Sequence, residues 1–469
     1  MKSKILILCF TTLFFASCSG FLEEKSQSEV IPKTAGDFGE LLLGSGYPYD
    51  EPANFTYFMD DDVELLITAT EMIGTEAAIT NQPIYTWQPH MAEVNGKGEA
   101  INENPGSTPY YAYYERIKGC NAVLDHIDSA IGTQEERDRV KAEALAMRAF
   151  HYFQLVNIYG EPYSHNKNAL GVPLKLVSEL NEDQLPRNTV EEVYAQIVTD
   201  MKEALRLMES LPILRRSYRI DQPAIHILLS RVYLHMEEWS DCVAQATKAI
   251  EKGGDLHDMT ESNPYGYTYQ SMSEIEWTFG SAPAAVASAY TVSPGLLEIF
   301  DVTNDLRYAM GLWFPWNWPS TNGGTYKYEG GEFAQNLRIG EAYLNRAEAN
   351  AKLGNLGAAL SDLNDLRVKR IANYVDEVIS DQTGLIEAIR LERRKEFYFE
   401  GFRWFDLRRY GMPRITHRYL AGNGETIQTY VLAEKDPMYT IPLPQSVLLR
   451  NSNLKQNASA TGSVRTPEL

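Results

Sequence analysis

Residues Arg390–Gly411 read RLERRKEFYFEGFRWFDLRRYG, and no other part of the chain is as dense in charged and aromatic residues together. Helical spacing puts Glu392, Glu396 and Glu400 at i, i+4 and i+8, on one face. Like charges at that spacing repel by about 0.2–0.5 kcal/mol per pair. Arginines three or four residues away can offset the repulsion, Arg393 for Glu396 and Arg403 for Glu400. Phe397, Phe399, Phe402, Trp404 and Phe405 supply core bulk, and Gly401 and Gly411 mark a helix end and a turn. Carboxylates beside arginines fit an acid/base site or a buried ion-pair network that locks helices in register.

The surrounding chain favours the second reading. Two segments repeat at the scale of a helix pair: Ala224–Gly253, AIHILLSRVYLHMEEWSDCVAQATKAIEKG, and Glu341–Arg370, EAYLNRAEANAKLGNLGAALSDLNDLRVKR. Aligned directly, Leu234 falls on Ala351, Met236 on Leu353, Trp239 on Leu356 and Ala246 on Leu363. Each segment is a helix, a tight turn (Glu237-Glu238 or Gly354-Asn355) and a second helix, a tetratricopeptide-like pattern. Such pairs bury their apolar faces only by stacking. Helices at 137–159 and 189–210 supply a further pair, with Thr189 and Glu192 forming a capping box, and 383–400 closes the stack. Further helices are expected at Asp37–Leu43, Tyr110–Ile131 and Asp61–Ala69, the last opened by the acidic Asp60-Asp61-Asp62. The expected fold is mostly α: a helical scaffold over roughly 137–254 and 336–411, with long loops and a few short strands.

The scaffold is interrupted by residues 255–335, which are poor in helical periodicity and rich in Gly, Pro, Ser, Thr and aromatics. A loop region of this length inside a domain is usually functional. Ile275–Phe279 reads as a strand and Leu420–Leu443 as extended or hairpin structure. Trp313-Phe314-Pro315-Trp316-Asn317-Trp318-Pro319 cannot be a regular helix face, because its prolines interrupt it. Aromatic rings stack on flat apolar faces, including the C–H faces of sugars, while nearby polar groups fix orientation. Trp313, Trp316 and Trp318, with Tyr326 or Tyr328, are therefore the candidate ligand platform, and Trp87 on an early loop is a second contributor. The alternative is that these residues pack as satellite or core aromatics. Trp239, Trp277 and Trp404 read as structural.

The first 17 residues read as a secretory signal: Lys2 and Lys4, then the apolar run Ile5–Ala16, too short to span a bilayer at ~20 residues. The small residues before Cys18 resemble a lipoprotein signal with Cys18 as the lipidation site; an ordinary secretory signal is the alternative. Residues 18–36 form a tether, 37–457 one domain and 458–469 a flexible tail. Only Cys120 and Cys242 remain for the fold, as one disulfide or two buried thiols. The 469 residues are 44% hydrophobic and 23% charged, an ordinary globular composition, and the net charge of −20 argues against a nucleic-acid partner. No zinc spacing, nucleophile elbow or phosphate loop is present. No cofactor is expected; an incidental structural calcium stays open, although Asp60-Asp61-Asp62 lacks the spacing of a calcium loop.

Five separated motifs resemble the SusD/RagB family of outer-membrane nutrient-binding lipoproteins. Lys141–Tyr159, KAEALAMRAFHYFQLVNIY, is similar to its EA-x-x-x-RA-x-x-YF helix. Pro186–Tyr194, PRNTVEEVY, is similar to its PR-x-(S/T)-x-EEVY segment. Arg338–Leu353 resembles R-x-AE-x-YL-x-x-AEA, with Gly340 in place of the first Ala. Glu392–Gly411 resembles ER-x-x-E-x-x-x-EG-x-RW-x-DLRR-x-G. Ile441-Pro442 and Asn451–Asn457 resemble the closing IP and N-x-x-L-x-QN. The resemblance implies a non-enzymatic, lipid-anchored protein at the surface of the outer membrane. It implies capture of oligosaccharide or polysaccharide for a SusC-like TonB-dependent transporter. Peptide or host-glycan capture on the same scaffold is the alternative, and a glycoside hydrolase or a pure repeat scaffold is a more distant one.

Overall fold

The computed structural model describes residues 31–48, 54–67, 71, 75–104, 106, 108–179, 184–215, 218–261, 272–281, 289–313, 324–325 and 333–468. Its frame is a run of helices, each laid against the last. The first is α1 (Ala35–Ser45), opened by a capping box between Thr34 and Asp37. It is followed by α2 (Pro109–Leu124), α3 (Gln134–Tyr159) and α4 (Val190–Met208). The expected capping box of Thr189 and Glu192 is present. From Ala142 to Tyr159 every residue of α3 is buried. A helix covered on all sides is a core helix, and α1, α2 and α4 pack around it.

The two repeats are α5 (Gln222–Met236) with α6 (Trp239–Lys252), and α7 (Ile339–Lys352) with α8 (Leu356–Arg367). Gly354 turns the second pair at φ +84°, and Glu237 turns the first at φ 62°, in the left-handed region that disfavours side chains. Helix α6 packs directly on α7, so the helical stack is continuous and the intervening segment leaves from between them, with its Trp277, Phe279, Tyr290 and Phe300 returning to the core. Helix α9 (Gln382–Phe397) lies on α7 and α8, and α10 (Arg403–Arg409) and α11 (Gln445–Arg450) follow. No helix among the described residues is long and apolar enough to cross a membrane.

Among the described residues, four two-stranded antiparallel sheets complete the fold: β1 (Val63–Leu65) with β3 (Tyr290–Val292), β2 (Ile275–Ser281) with β6 (Phe333–Arg338), β4 (Leu312–Trp313) with β5 (Gly324–Thr325), and β7 (Ile415–Tyr419) with β8 (Gln428–Leu432). The helix expected over Asp61–Ala69 is therefore replaced by a strand. Its acidic start does not cap a helix: Asp61 pairs with Arg403 at 2.6 Å and Asp62 with Arg394 at 2.7 Å, while Val63–Leu65 pairs with β3. The expected hairpin starts at Ile415 rather than Leu420. Residues 458–468 do not form a free tail. Glu468 bridges to Thr429, and Arg465 donates to Val431 O at 2.9 Å and pairs with Asp436 at 3.1 Å. Cys120 and Cys242 are free and buried.

The signature stretch lies at the centre of a buried charge network. Helix α9 ends at Phe397, and Phe399 (φ 55°) and Gly401 (φ 79°) turn the chain so that Glu400 reaches the same network from beyond the helix. Arg307 meets Asp305, Glu392 and Glu396 at 2.6–2.8 Å. Arg338 bonds Glu396 and meets Glu400 at 3.0 Å and Glu274 at 3.2 Å. Arg370 meets both Glu274 and Glu396 at 2.9 Å. All of these side chains are fully buried, with Arg367 and Lys395 at the margin. Among them, Arg307, Arg338, Arg367, Arg370 and Lys395 balance Glu274, Asp305, Glu392, Glu396 and Glu400. The local partners suggested by helical spacing are not used: Arg393 takes Asp406 and Arg403 takes Asp61. Arg346 and Arg148, which also lie in the recurring motifs, stay out of the network and pair with Asp362 and Asp200.

Three expectations follow. Glu396→Ala strands several buried guanidiniums and lowers stability by ~3–5 kcal/mol in denaturant unfolding; a loss below ~1 kcal/mol contradicts the network. Acid titration supplies the second. Burial raises the Glu392 and Glu396 carboxyls, but Arg307 and Arg367 around the first, and Arg370, Arg338 and Arg307 around the second, outweigh it and hold both below the usual range. Their stabilisation is fully present above the unfolded carboxyl pKa of about 4.3 and is lost as pH falls from there through the lower folded values. The unfolding midpoint of the wild type should fall steeply below about pH 4.3, and the Glu396→Gln variant should fall less. Third, Glu237→Gly relieves the left-handed turn and stabilises by about 0.5–1 kcal/mol; a lower melting temperature counts against this.

Candidate functional site

The segment between α6 and α7 is rooted where its ends meet the charge network. Glu274 stands immediately before β2 and Arg338 ends β6, and the two pair with each other at 3.2 Å. Asp305 and Arg307 lie before β4, Arg307 tied to Glu392 and Glu396 and Asp305 to Lys395 on α9. Carboxylates first considered as an acid/base site therefore hold the base of the loop region. The β2–β6 ribbon is also seated on α3. Trp277 and Phe279 stack at 4.6 Å, and both meet the Phe150 ring edge-on at 5.3 and 4.9 Å. The Trp277 indole donates to Tyr218 O at 3.2 Å. Trp404 is buried against Tyr439, with ring centroids 4.9 Å apart. Trp239 is half-buried with Lys352 over its ring. These three tryptophans are structural, as their positions in the sequence imply.

Above the ribbon, β5 lies against β3, and β3 pairs with β1, which touches β7. The β4–β5 pairing brings Leu312 opposite Thr325 and Trp313 opposite Gly324. The backbone of Trp313 belongs to this hairpin; Trp316, Trp318, Tyr326 and Tyr328 lie outside the described residues.

Beneath the hairpin is a column of buried rings. Tyr290 of β3 packs on Phe58 at 4.8 Å and on Tyr85 at 5.2 Å. Tyr85 stacks on His417 at 4.2 Å, and His417 stacks on Trp87 at 4.2 Å. The expectation that Trp87 presents its ring to ligand is corrected here. Its segment does converge on the hairpin's neighbourhood, but the indole is fully buried and its N–H donates to Met59 O at 3.0 Å. Trp87 contributes foundation, not contact surface.

The Asp60–Asp62 turn links this column to the signature. Asp60 O lies 2.8 Å from His417 Nε2, Ser293 N donates to Asp62 O at 2.8 Å, and Arg394 and Arg403 hold the side chains of Asp62 and Asp61. Burial raises the Asp61 carboxyl, but Arg403 and Arg394 outweigh it and bring it down to about 2. Burial, with Asp62 and Asp61 nearby, pushes Asp60 well above the usual carboxylate range. The acidic triplet and the outward arginines of the signature are visible in the sequence, but their pairing across more than 330 positions is not. Among the described residues no group of His, Cys, Asp and Glu is arranged to hold a metal ion.

Comparison with known proteins agrees with this architecture. A family profile described as "Starch-binding associating with outer membrane" matches residues 20–234, and the SusD family profile matches residues 301–459. A SusD-like protein of Bacteroides ovatus is 24% identical over 87% of this chain and 82% of its own. The starch-binding protein SusD of Bacteroides thetaiotaomicron is 36% identical over 26% of this chain and 20% of its own. Two crystal structures have the same fold. A SusD superfamily protein from Bacteroides thetaiotaomicron matches with TM-score 0.71 and 24% identity, over 90% of this chain and 99% of that one. A SusD-like carbohydrate-binding protein from Bacteroides vulgatus matches with TM-score 0.70 and 24% identity, over 90% and 97%. With the separated motifs, the helical stack and the profile matches at both ends, the chain belongs to the SusD/RagB family.

Proposed function

We propose that this protein is a surface lipoprotein that captures oligosaccharide or polysaccharide and hands it to a SusC-like TonB-dependent transporter, without turning it over. The observation that carries the reading is the continuous packing of α6 on α7. The roots of the segment between them are clamped into the core and the charge network, and in this reading the rest of that segment carries the ligand-contacting side chains. Trp313, Trp316 and Trp318, with Tyr326 or Tyr328, form the sugar platform in this reading, and Cys18 carries the lipid that holds the protein at the outer membrane. The names of the related proteins, starch-binding and carbohydrate-binding, support the ligand class.

Replacing Trp313, Trp316 and Trp318 together by alanine tests the platform. Affinity for the best glycan from an array should fall at least tenfold, or about 1.4 kcal/mol, with the melting temperature unchanged. Retained affinity in the folded variant sinks the platform. Cys18→Ala should move the protein from the membrane to the soluble fraction, because stable anchoring requires acyl chains. Pull-down of the wild type from outer membranes should bring a large β-barrel with it.

A further inference from the structure

A second cleft, of about 460 Å³, lies between the first turns of α2 and the C-terminal end of α11, and none of its lining residues belongs to the 255–335 segment. Its volume is within the range of ligand sites, about 300–1,000 Å³. Tyrosines from α2 form one wall; Pro173, Val447 and Leu454 line the cleft from other segments. The walls are held in place. Tyr114 donates its hydroxyl to Pro173 O at 2.7 Å, and Asn451 Nδ2 donates to Leu185 O at 2.9 Å. Tyr111 is 40% exposed, and its hydroxyl is hydrogen-bonded to Glu115.

The charge of this cleft is unlike that of the protein. The chain carries −20 overall, yet the charged side chains lining the cleft among the described residues are Lys175 and Arg450, and the Glu115 carboxylate on the Tyr111 hydroxyl is itself paired with Lys118 at 2.7 Å. Two other charged clefts among the described residues contain acids: Glu161 and Asp436 in one, Asp301, Glu377 and Glu392 in the other. Arg450 is exposed and makes no ion pair among the described residues, and its field acts on the Tyr111 hydroxyl. A guanidinium fork with free donors next to an exposed aromatic ring matches a planar carboxylate attached to an apolar ring face.

We propose that this cleft binds a uronate residue of an acidic glycan, with Tyr111 under the sugar ring and Arg450 on its carboxylate. The proposal rests on the glycan-capture reading but uses a different site and different residues from the tryptophan platform. Neutral sugars gain only the stacking contact, so Arg450 sets the preference.

Isothermal titration of the mature chain with trigalacturonate, and with a neutral trisaccharide as control, tests this. The wild type should bind trigalacturonate, and raised salt should weaken that binding. Arg450→Gln and Tyr111→Ala should each weaken it at least tenfold with unchanged melting temperature, while the triple tryptophan variant should retain it. Absence of trigalacturonate binding, or binding that Arg450→Gln leaves intact, overturns the proposal. If neutral glycans still bind in that case, the general reading stands; if no glycan of either kind binds, both fail. Capture of a sulfated oligosaccharide in place of trigalacturonate overturns the carboxylate assignment.

Discussion

The fold depends on keeping the charges of Glu392, Glu396 and Glu400 compensated out of water. An isolated buried carboxylate costs several kcal/mol even after relaxation, and these three sit with no solvent exposure. Compensation comes from arginines delivered by elements far apart in sequence: Arg307 from the short helix Leu306–Gly311 before β4, Arg338 from the end of β6, Arg367 from the end of α8 and Arg370 just beyond it. Each guanidinium contacts more than one carboxylate, so no contributing element can move without leaving a buried charge exposed to a low dielectric. The network therefore acts as a register lock between the helical stack and the roots of the segment between α6 and α7.

A second knot explains the motifs that do not join the first. Helix α3 ends at Tyr159, where orphan carbonyls need donors. Arg408 of the signature donates to Asn157 O and Gly160 O. Arg187, from the PRNT segment, donates to Tyr159 O at 2.7 Å, and also to Lys455 O and to Asn457 Oδ1 at 2.8 Å. Asn457 donates in turn to Tyr159 O and Ile441 O. Burial lowers the pKa of both arginines to about 10, and the favourable field of a helix C-terminus offsets part of that cost. Motifs at 141–159, 186–194, 403–411, 441 and 451–457 thus meet at one helix end.

Local signals in the sequence were reliable. The Thr189 capping box, the two helix pairs and the Ile275 strand depend on neighbours within a few residues, and all appear. Long-range pairing was not legible. Spacing assigned Arg393 and Arg403 to signature carboxylates, whereas the tertiary fold gives them to Asp406 and Asp61. The same limit misread Asp60-Asp61-Asp62 as a helix start and the C-terminal residues as a free tail, because Arg394, Arg403, Thr429 and Asp436 are remote in sequence. Trp87 shows the limit for a site: an aromatic in a polar loop reads the same whether it faces a sugar or, as here, stacks on His417.

The central claim is that the signature carboxylates hold the roots of the proposed ligand segment. Hydrogen exchange of the Glu396→Gln variant measures this directly. Amides in 272–281, 303–308 and 335–338 should exchange faster than in the wild type, while those of α3 and α4 stay protected. Unchanged protection at those roots, together with lost glycan binding or a lost hydrolytic activity, would contradict the account and return the signature to the role of an active site.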